Sequence, residues 1–329
     1  MSLPVDAGLN LGLLDVRPDD RAGNPAFARH GTFHPRFGWL KKGFDAATAD
    51  RTIFAREDAA VVLGVGKNMV RAIRYWCHAF GVLAEAGTGS VPTDFGRRLL
   101  GPTGRDPYLE DLASLWMLHW ALLRPDGLAT AWHFGYFTFT RSEFTTEEMV
   151  RDLDVFVRRA FPLHTRIAAS SLRKDAACFT RMYATPAQSE RAWSDETIQC
   201  PFADLGLITQ TDPKTFAFNG VSKPTLPPLI TAAACLEYAA RRSGDARTIA
   251  LSDLAYGIGS PGLAFRLGQS SLYEALELAV RETDCIQVAH SAGVIQLSFD
   301  RPPGSLAMSL IDEYYDTATL EIGGSTHAS

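Results

Sequence analysis

"GVGKNMVRAIRYWCHAFG", Gly64 to Gly81, decides how the chain is read, because it fits two different ways of handling phosphate. A nucleotide-cradling loop needs a glycine five positions before its Gly-Lys pair and a Ser or Thr after it, so that backbone amides and the Lys ammonium surround a polyphosphate. Val61 and Asn68 stand at those places, and that reading fails. The alternative makes the glycines the turn of a helix-turn-helix, with a first helix over Arg56 to Leu63 and a second over Lys67 to Phe80. At about 100° per residue, Val70, Ile73, Cys77 and Phe80 form one apolar stripe, and Lys67, Arg71, Arg74 and His78 form a second roughly 110° away. One face packs; the other meets anions.

A cationic stripe on an amphipathic helix is by itself only a solvated face. The run upstream, "HGTFHPRFGWLKKGFDAA" from His30, adds Arg36, Lys41 and Lys42 among Phe33, Phe37, Trp39 and Phe44. Cations interleaved with aromatics suit a nucleic-acid backbone. Downstream, "GSVPTDFGRRLLG" resembles the end of a winged-helix domain: Pro92 and Thr93 lead into a short apolar turn carrying Arg97 and Arg98. Residues 27–105 therefore read as a winged-helix-like unit that binds double-stranded DNA, behind an N-terminal extension, 1–26. Its candidate DNA contacts are Lys41, Lys42, Lys67 and Asn68, with Arg71, Arg74, Arg97 and Arg98.

The charge distribution agrees. The net charge of −5 over 329 residues argues against a protein that coats nucleic acid indiscriminately. Yet Arg29 to Arg105 holds twelve Lys and Arg against six Asp and Glu, and the rest of the chain 20 against 31. The five cysteines are scattered without CxxC pairing, which predicts a reducing compartment and neither a disulfide framework nor a structural zinc. With no basic segment before an apolar core and no apolar run of about 18 residues, a soluble, cytoplasmic protein without membrane contact is expected.

Beyond residue 105 the pattern predicts a mainly α, multi-domain chain with winged-helix or helix-turn-helix-like units and short β-hairpins. The helical middle domain, 106–185, has an apolar helix in "LEDLASLWMLHWALLRPDG", where His119 is a core histidine, as is His133 nearby. "TTEEMVRDLDVFVRRAF" starts at a Thr145 or Thr146 cap and buries Met149, Leu153, Phe156 and Val157. "SSLRKDAACFTRMY" has Ser170 as its candidate cap, packs Leu172, Ala176, Phe179 and Tyr183, and leaves Arg173 and Lys174 outside as a second, weaker DNA-facing surface. A connecting segment, 186–222, includes an extended "TFAFNG". The C-terminal winged-helix-like domain, 223–303, has three helices, the first ended by Gly244, and a hairpin about Ser291, Ala292 and Gly293. Glutamates on its third helix point to protein contact there. From Gly304 an acidic tail, 304–329, is expected to be partly mobile.

Catalysis is less legible. His30 and His34 are four apart, but Gly31, Thr32 and Pro35 oppose a helix that would aim both at a metal. The segment instead offers His30 and Arg36 as an imidazole and guanidinium for a phosphate in its transition state. "GIGSPG" at Gly257 to Gly262 lacks a preceding strand and reads as a turn. No hydrolase elbow, zinc-protease or dinucleotide signature is present.

His30, Thr32, Phe33 and Arg36, then Trp39 to Gly43, Gly64 and Gly66 to Met69, together resemble the N-terminal signature of the SspB family of bacterial Ssp DNA phosphorothioation systems. "SLRKDAACFTRMY" and "FADLGLI" are similar to the family's middle. The resemblance implies a DNA-nicking component in phage defence, working beside a cysteine desulfurase and other Ssp proteins as sulfur replaces a non-bridging phosphate oxygen. Phosphodiester hydrolysis commonly uses a divalent cation, here Mg²⁺ or Mn²⁺; its ligands are not legible in the sequence. A non-catalytic DNA-binding adaptor that recruits the sulfur-transfer proteins, and a dimeric winged-helix repressor, would use the same basic helix.

Overall fold

The computed structural model describes residues 25–124, 127–162, 167–185, 200–242, 246–291 and 293–324, with side chains to 318. The N-terminal extension up to residue 24, the Gly244 helix stop and Ala292 of the hairpin turn lie outside the described residues.

The decisive stretch folds around its glycines. Helix α1 (Trp39–Ala49) and a one-turn α2 (Ala59–Val62) precede α3 (Lys67–Ala79). Gly64 takes a left-handed φ of 61°, open to glycine without steric cost, and turns the chain between α2 and α3. The first helix is shorter than Arg56 to Leu63. Arg56 pairs with both Asp50 and Asp58, and its extended backbone closes a 3₁₀ turn at Ile53–Ala55 instead of opening a helix. The aromatic and basic run is itself helical: α1 packs on α3 where Gly43 faces Cys77 and Ile73, so closely that a Cβ would fall 2.5 Å from the Cys77 sulfur.

After α3 come an antiparallel hairpin, β1 (Leu83–Ala86) with β2 (Gly89–Pro92), and helix α4 (Asp94–Leu100). The expected turn carrying Arg97 and Arg98 is thus a helix. The Thr93 side chain accepts the Gly96 amide and caps it.

Helix α5 (Leu112–Leu122) is buried from Ala113 to Leu122, and α6 (Thr130–Phe137) is buried throughout. Strand β3 (Glu143–Thr145) leads into α7 (Thr146–Ala160), where Thr145 and Glu148 make a reciprocal capping box and all four expected core residues are buried. Helix α8 (Ala169–Tyr183) starts one residue before Ser170, with Ala168 as its cap position. Strands β4 (Ala184–Thr185), β5 (Ile208–Asp212) and β6 (Thr215–Phe218) complete a sheet ordered β3-β6-β5-β4, parallel only between β4 and β5. The extended "TFAFNG" supplies β6.

The C-terminal part runs α9 (Pro228–Arg242), β7 (Thr248–Ala250), α10 (Leu251–Tyr256), α11 (Pro261–Phe265), α12 (Gln269–Glu282), β8 (Ile286–Ser291), β9 (Val294–Phe299) and α13 (Pro303–Gly324). The expected hairpin is β8 with β9, and β7 extends it to three antiparallel strands. Where an acidic, mobile tail is expected, α13 is a helix packed on α9. Leu306, Ala307, Leu310 and Tyr315 are buried, Asp312 meets Arg98 and Arg105, and Tyr314 donates to Asp111. The acidic side chains hide an apolar stripe that composition alone obscures.

The protein is mainly helical with small sheets; among the described residues a large apolar core extends from Trp39 to Tyr315, beside a small cluster of Ala59, Leu63 and Val70. No helix among the described residues is long and apolar enough to cross a membrane.

Candidate nucleic-acid interface

Helix α3 divides as its periodicity predicts. Val70, Ile73, Trp76 and Cys77 are buried, while Lys67, Asn68, Arg71 and Arg74 are exposed. Among the described residues, Arg71 makes no ion pair or hydrogen bond. Arg74 reaches Glu85 of β1 at 3.3 Å, a pair so exposed, at 47 % and 73 %, that solvent screens most of it. His78 Nε2 lies 2.9 Å from the Ser90 hydroxyl. Burial, and then the Arg74 charge, depress its pKa while Glu85 opposes them, so the imidazole is neutral at neutral pH.

Arg71, Arg74 and His78 form one wall of a cavity of about 580 Å³. Arg29, from the segment before α1, and Arg124, from the end of α5, enter it from other sides. Neither was singled out in the sequence. Each lies more than forty positions from Arg71 or Arg74 along the chain, and no local pattern marks it. Arg124 is held in place: its Nε donates to the Ala121 carbonyl at 3.0 Å, and its guanidinium lies over Gly81, where a Cβ would collide with it. Gly81 has a φ of 71° and is glycine for both reasons. Four guanidiniums thus face one carboxylate, Glu85, among the described lining residues.

The segment carrying Arg29 is pinned by His30. The Thr32 amide donates to its Nδ1 at 3.1 Å, so the proton sits on Nε2, which donates to Asp175 Oδ1 at 2.7 Å. The same carboxylate oxygen accepts the Ala28 amide at 2.7 Å. Tyr75, Trp76 and Trp132 surround the ring at 5.6 to 5.9 Å between centroids. Burial raises the Asp175 pKa, against the lowering effect of His30. His30 is 0 % exposed with both nitrogens engaged, so it does not face a phosphate here. Arg36 lies over the Trp39 ring at 5.5 Å, with its Nε buried and without a hydrogen-bond partner.

The remaining candidates are dispersed. Lys41 pairs with Asp45 and lies over Tyr108, and Lys42 Nζ donates to the Leu63 carbonyl at the α2–α3 turn. Arg97 is held by Asp94 and the Pro92 carbonyl, and Arg98 by Asp312, beside a second and smaller cavity. Arg173 and Lys174 are exposed on α8. The structure brings together Arg71 and Arg74 of the expected set, with Lys67 and Asn68 beyond the cavity on the same helix. Among the described residues no group of three His, Cys, Asp or Glu side chains could hold a metal ion.

Residues 27–315 match the family described as "Protein of unknown function (DUF4007)". No curated protein matches the chain. A solved structure described as "Magnesium ion-bound SspB crystal structure" is 38% identical, with a TM-score of 0.83, over 92% of this chain and 91% of that one. Another, described as "SspB crystal structure", is 38% identical, with a TM-score of 0.82, over 90% of each.

Proposed function

This chain belongs to the DUF4007 family and to the family of SspB, and on that premise we propose that it binds double-stranded DNA and nicks one strand during phosphorothioate modification in an anti-phage system. The observation that carries the DNA reading is the convergence of Arg71 and Arg74 with Arg29 and Arg124 on one cavity. Guanidiniums present fixed donor forks suited to phosphate, and among the described lining residues they face one carboxylate, Glu85.

In this reading residues 27–105 are the DNA-binding unit. The order of α1, α2 and α3 followed by the β1–β2 hairpin suits a winged-helix-like module, with Lys67 and Asn68 meeting the backbone at the cavity's edge. His30 acts by position. His30 clamps the Arg29 segment to α8, which sets one wall of the site. The acidic surfaces of the C-terminal helices contact a cysteine desulfurase or another Ssp protein.

Magnesium is a property of one relative's crystal. The described residues of the cavity offer it one carboxylate, Glu85, already facing Arg74, and this donor set does not fit a dedicated magnesium site. No step is assigned to it. Nicking is expected to need a divalent cation all the same, since such an ion can be held mainly by substrate phosphates.

Fluorescence anisotropy with a labelled duplex at several salt concentrations tests the docking surface. Arg71→Ala with Arg74→Ala is expected to weaken binding and to reduce the slope of log K against log[salt] by about 2. Unchanged affinity and slope would remove α3 from the interface. Relaxation of supercoiled plasmid separates the nickase from the non-catalytic adaptor.

A further inference from the structure

We infer that the cavity beside α3 receives one unstacked nucleotide of the DNA strand, its phosphate on Arg71 and Arg74 and its base against the apolar wall of Tyr75, Leu128 and Phe161. This rests on the DNA-binding reading above and names the part of DNA that enters the site.

Shape is the first argument. A recognition helix, about 10–12 Å across, stands proud of its domain and enters a major groove about 12 Å wide. At Arg71 and Arg74, α3 does not stand proud. Ala26 and Arg29, and Arg124, Gly127, Leu128 and Thr130, line the same space and bound about 580 Å³ with it. That volume falls within the roughly 300–1,000 Å³ of pockets for small ligands and is far too small for a duplex.

The lining supplies the second argument. Among the described lining residues its charged part is four guanidiniums against Glu85, and its apolar part includes Phe54, Val70, Tyr75, Leu128 and Phe161. Inorganic phosphate would use the charged part and leave the apolar part in water. An apolar ligand would leave the guanidiniums without an anion. A nucleotide satisfies both, because its base presents a π-face that stacks on aromatic side chains. Leu128, 40 % exposed at the mouth, offers an apolar contact to such a base. Enzymes that act on a single nucleotide extrude it from the stack into a pocket of this kind, and a mispaired base is the cheapest to extrude.

The test compares anisotropy titrations of a fully paired duplex and the same duplex with one mismatch, at one salt concentration. Wild type is expected to bind the mismatched duplex about tenfold tighter, as the saved unpairing cost requires. Leu128→Trp fills the mouth from an exposed position, and is expected to abolish that preference. Leu128→Ser removes the apolar contact without adding bulk, and is expected to reduce the preference severalfold. Equal binding of both duplexes by wild type, or a preference that persists in Leu128→Trp, overturns the nucleotide pocket and leaves the DNA-binding reading standing. Binding of neither duplex by the folded wild type overturns that reading, and the pocket with it.

Discussion

Replacing Asp175 by alanine should detach one wall of the site and destabilise the whole protein. Asp175 Oδ1 accepts two hydrogen bonds, from His30 Nε2–H and from the Ala28 amide, both at 2.7 Å. His30 is 0 % and Asp175 2 % exposed, so water cannot replace the lost acceptor without rearrangement. Two orphaned donors at about 1–3 kcal/mol each give roughly 4 kcal/mol, within the range of about 3–5 kcal/mol for breaking a buried pair. At about 2 °C per kcal/mol for a large domain, Tm falls by roughly 8 °C. Asp175→Asn behaves differently. Both bonds end on one oxygen, so an amide carbonyl can keep them, and its cost should stay below about 1.5 kcal/mol. The substitutions also differ in pH dependence. Burial raises the Asp175 pKa above its ordinary 3.8, so the native state binds more protons than the unfolded one, and stability falls as pH rises from 3.8 through the native value. The Asn variant loses that slope. Urea and thermal melts of the full chain at pH 4 to 7 read all three effects, with DNA binding by Asp175→Ala expected to weaken through Arg29. An alanine variant within about 1 kcal/mol of wild type, or an asparagine variant as damaged as alanine, would mean that the two bonds to Asp175 do not hold this wall.

Three further outcomes are expected. His119 accepts from Tyr183 at Nδ1 and donates from Nε2 to the Ala264 carbonyl, and burial followed by the Arg266 charge lowers its pKa from 6.5 to about 4, against the backbone bond. A depressed histidine stabilises above its unfolded pKa, so about 3 kcal/mol should be lost as pH falls from about 6.5 to about 4; urea midpoints across that range would show a flatter dependence in His119→Gln. Gly43→Ala forces a methyl against Cys77 and Ile73, and should cost about 1–3 kcal/mol by chemical denaturation, since overpacking outweighs the gain in helix propensity. The Arg71→Ala, Arg74→Ala double variant should keep the wild-type melting temperature while it loses DNA affinity, because both side chains are exposed.

Sequence made the elements with strong local signals legible. Alternation of apolar and cationic residues located α3 to within a residue, and Thr145 with Glu148 located the start of α7. It could not place residues whose environment is assembled from distant segments. His30 looked like a phosphate ligand because its acceptor, Asp175, is 145 positions away, on a helix read as a cationic surface. Arg29 and Arg124 converge with α3 only after α5 and the N-terminal segment dock. The helical α13 was hidden for another reason: its acids face Arg98 and Arg105 of a distant element, and local composition counts them as solvated.

Conversion of supercoiled plasmid to open circles measures the proposed nicking of DNA through the α3 face. Purified full chain with Mg²⁺ or Mn²⁺ is predicted to accumulate open circles, and the Arg71→Ala, Arg74→Ala variant is predicted not to. Wild type that binds the plasmid and leaves it supercoiled with either cation would contradict the nickase and favour the adaptor; equal nicking by both proteins would contradict the site.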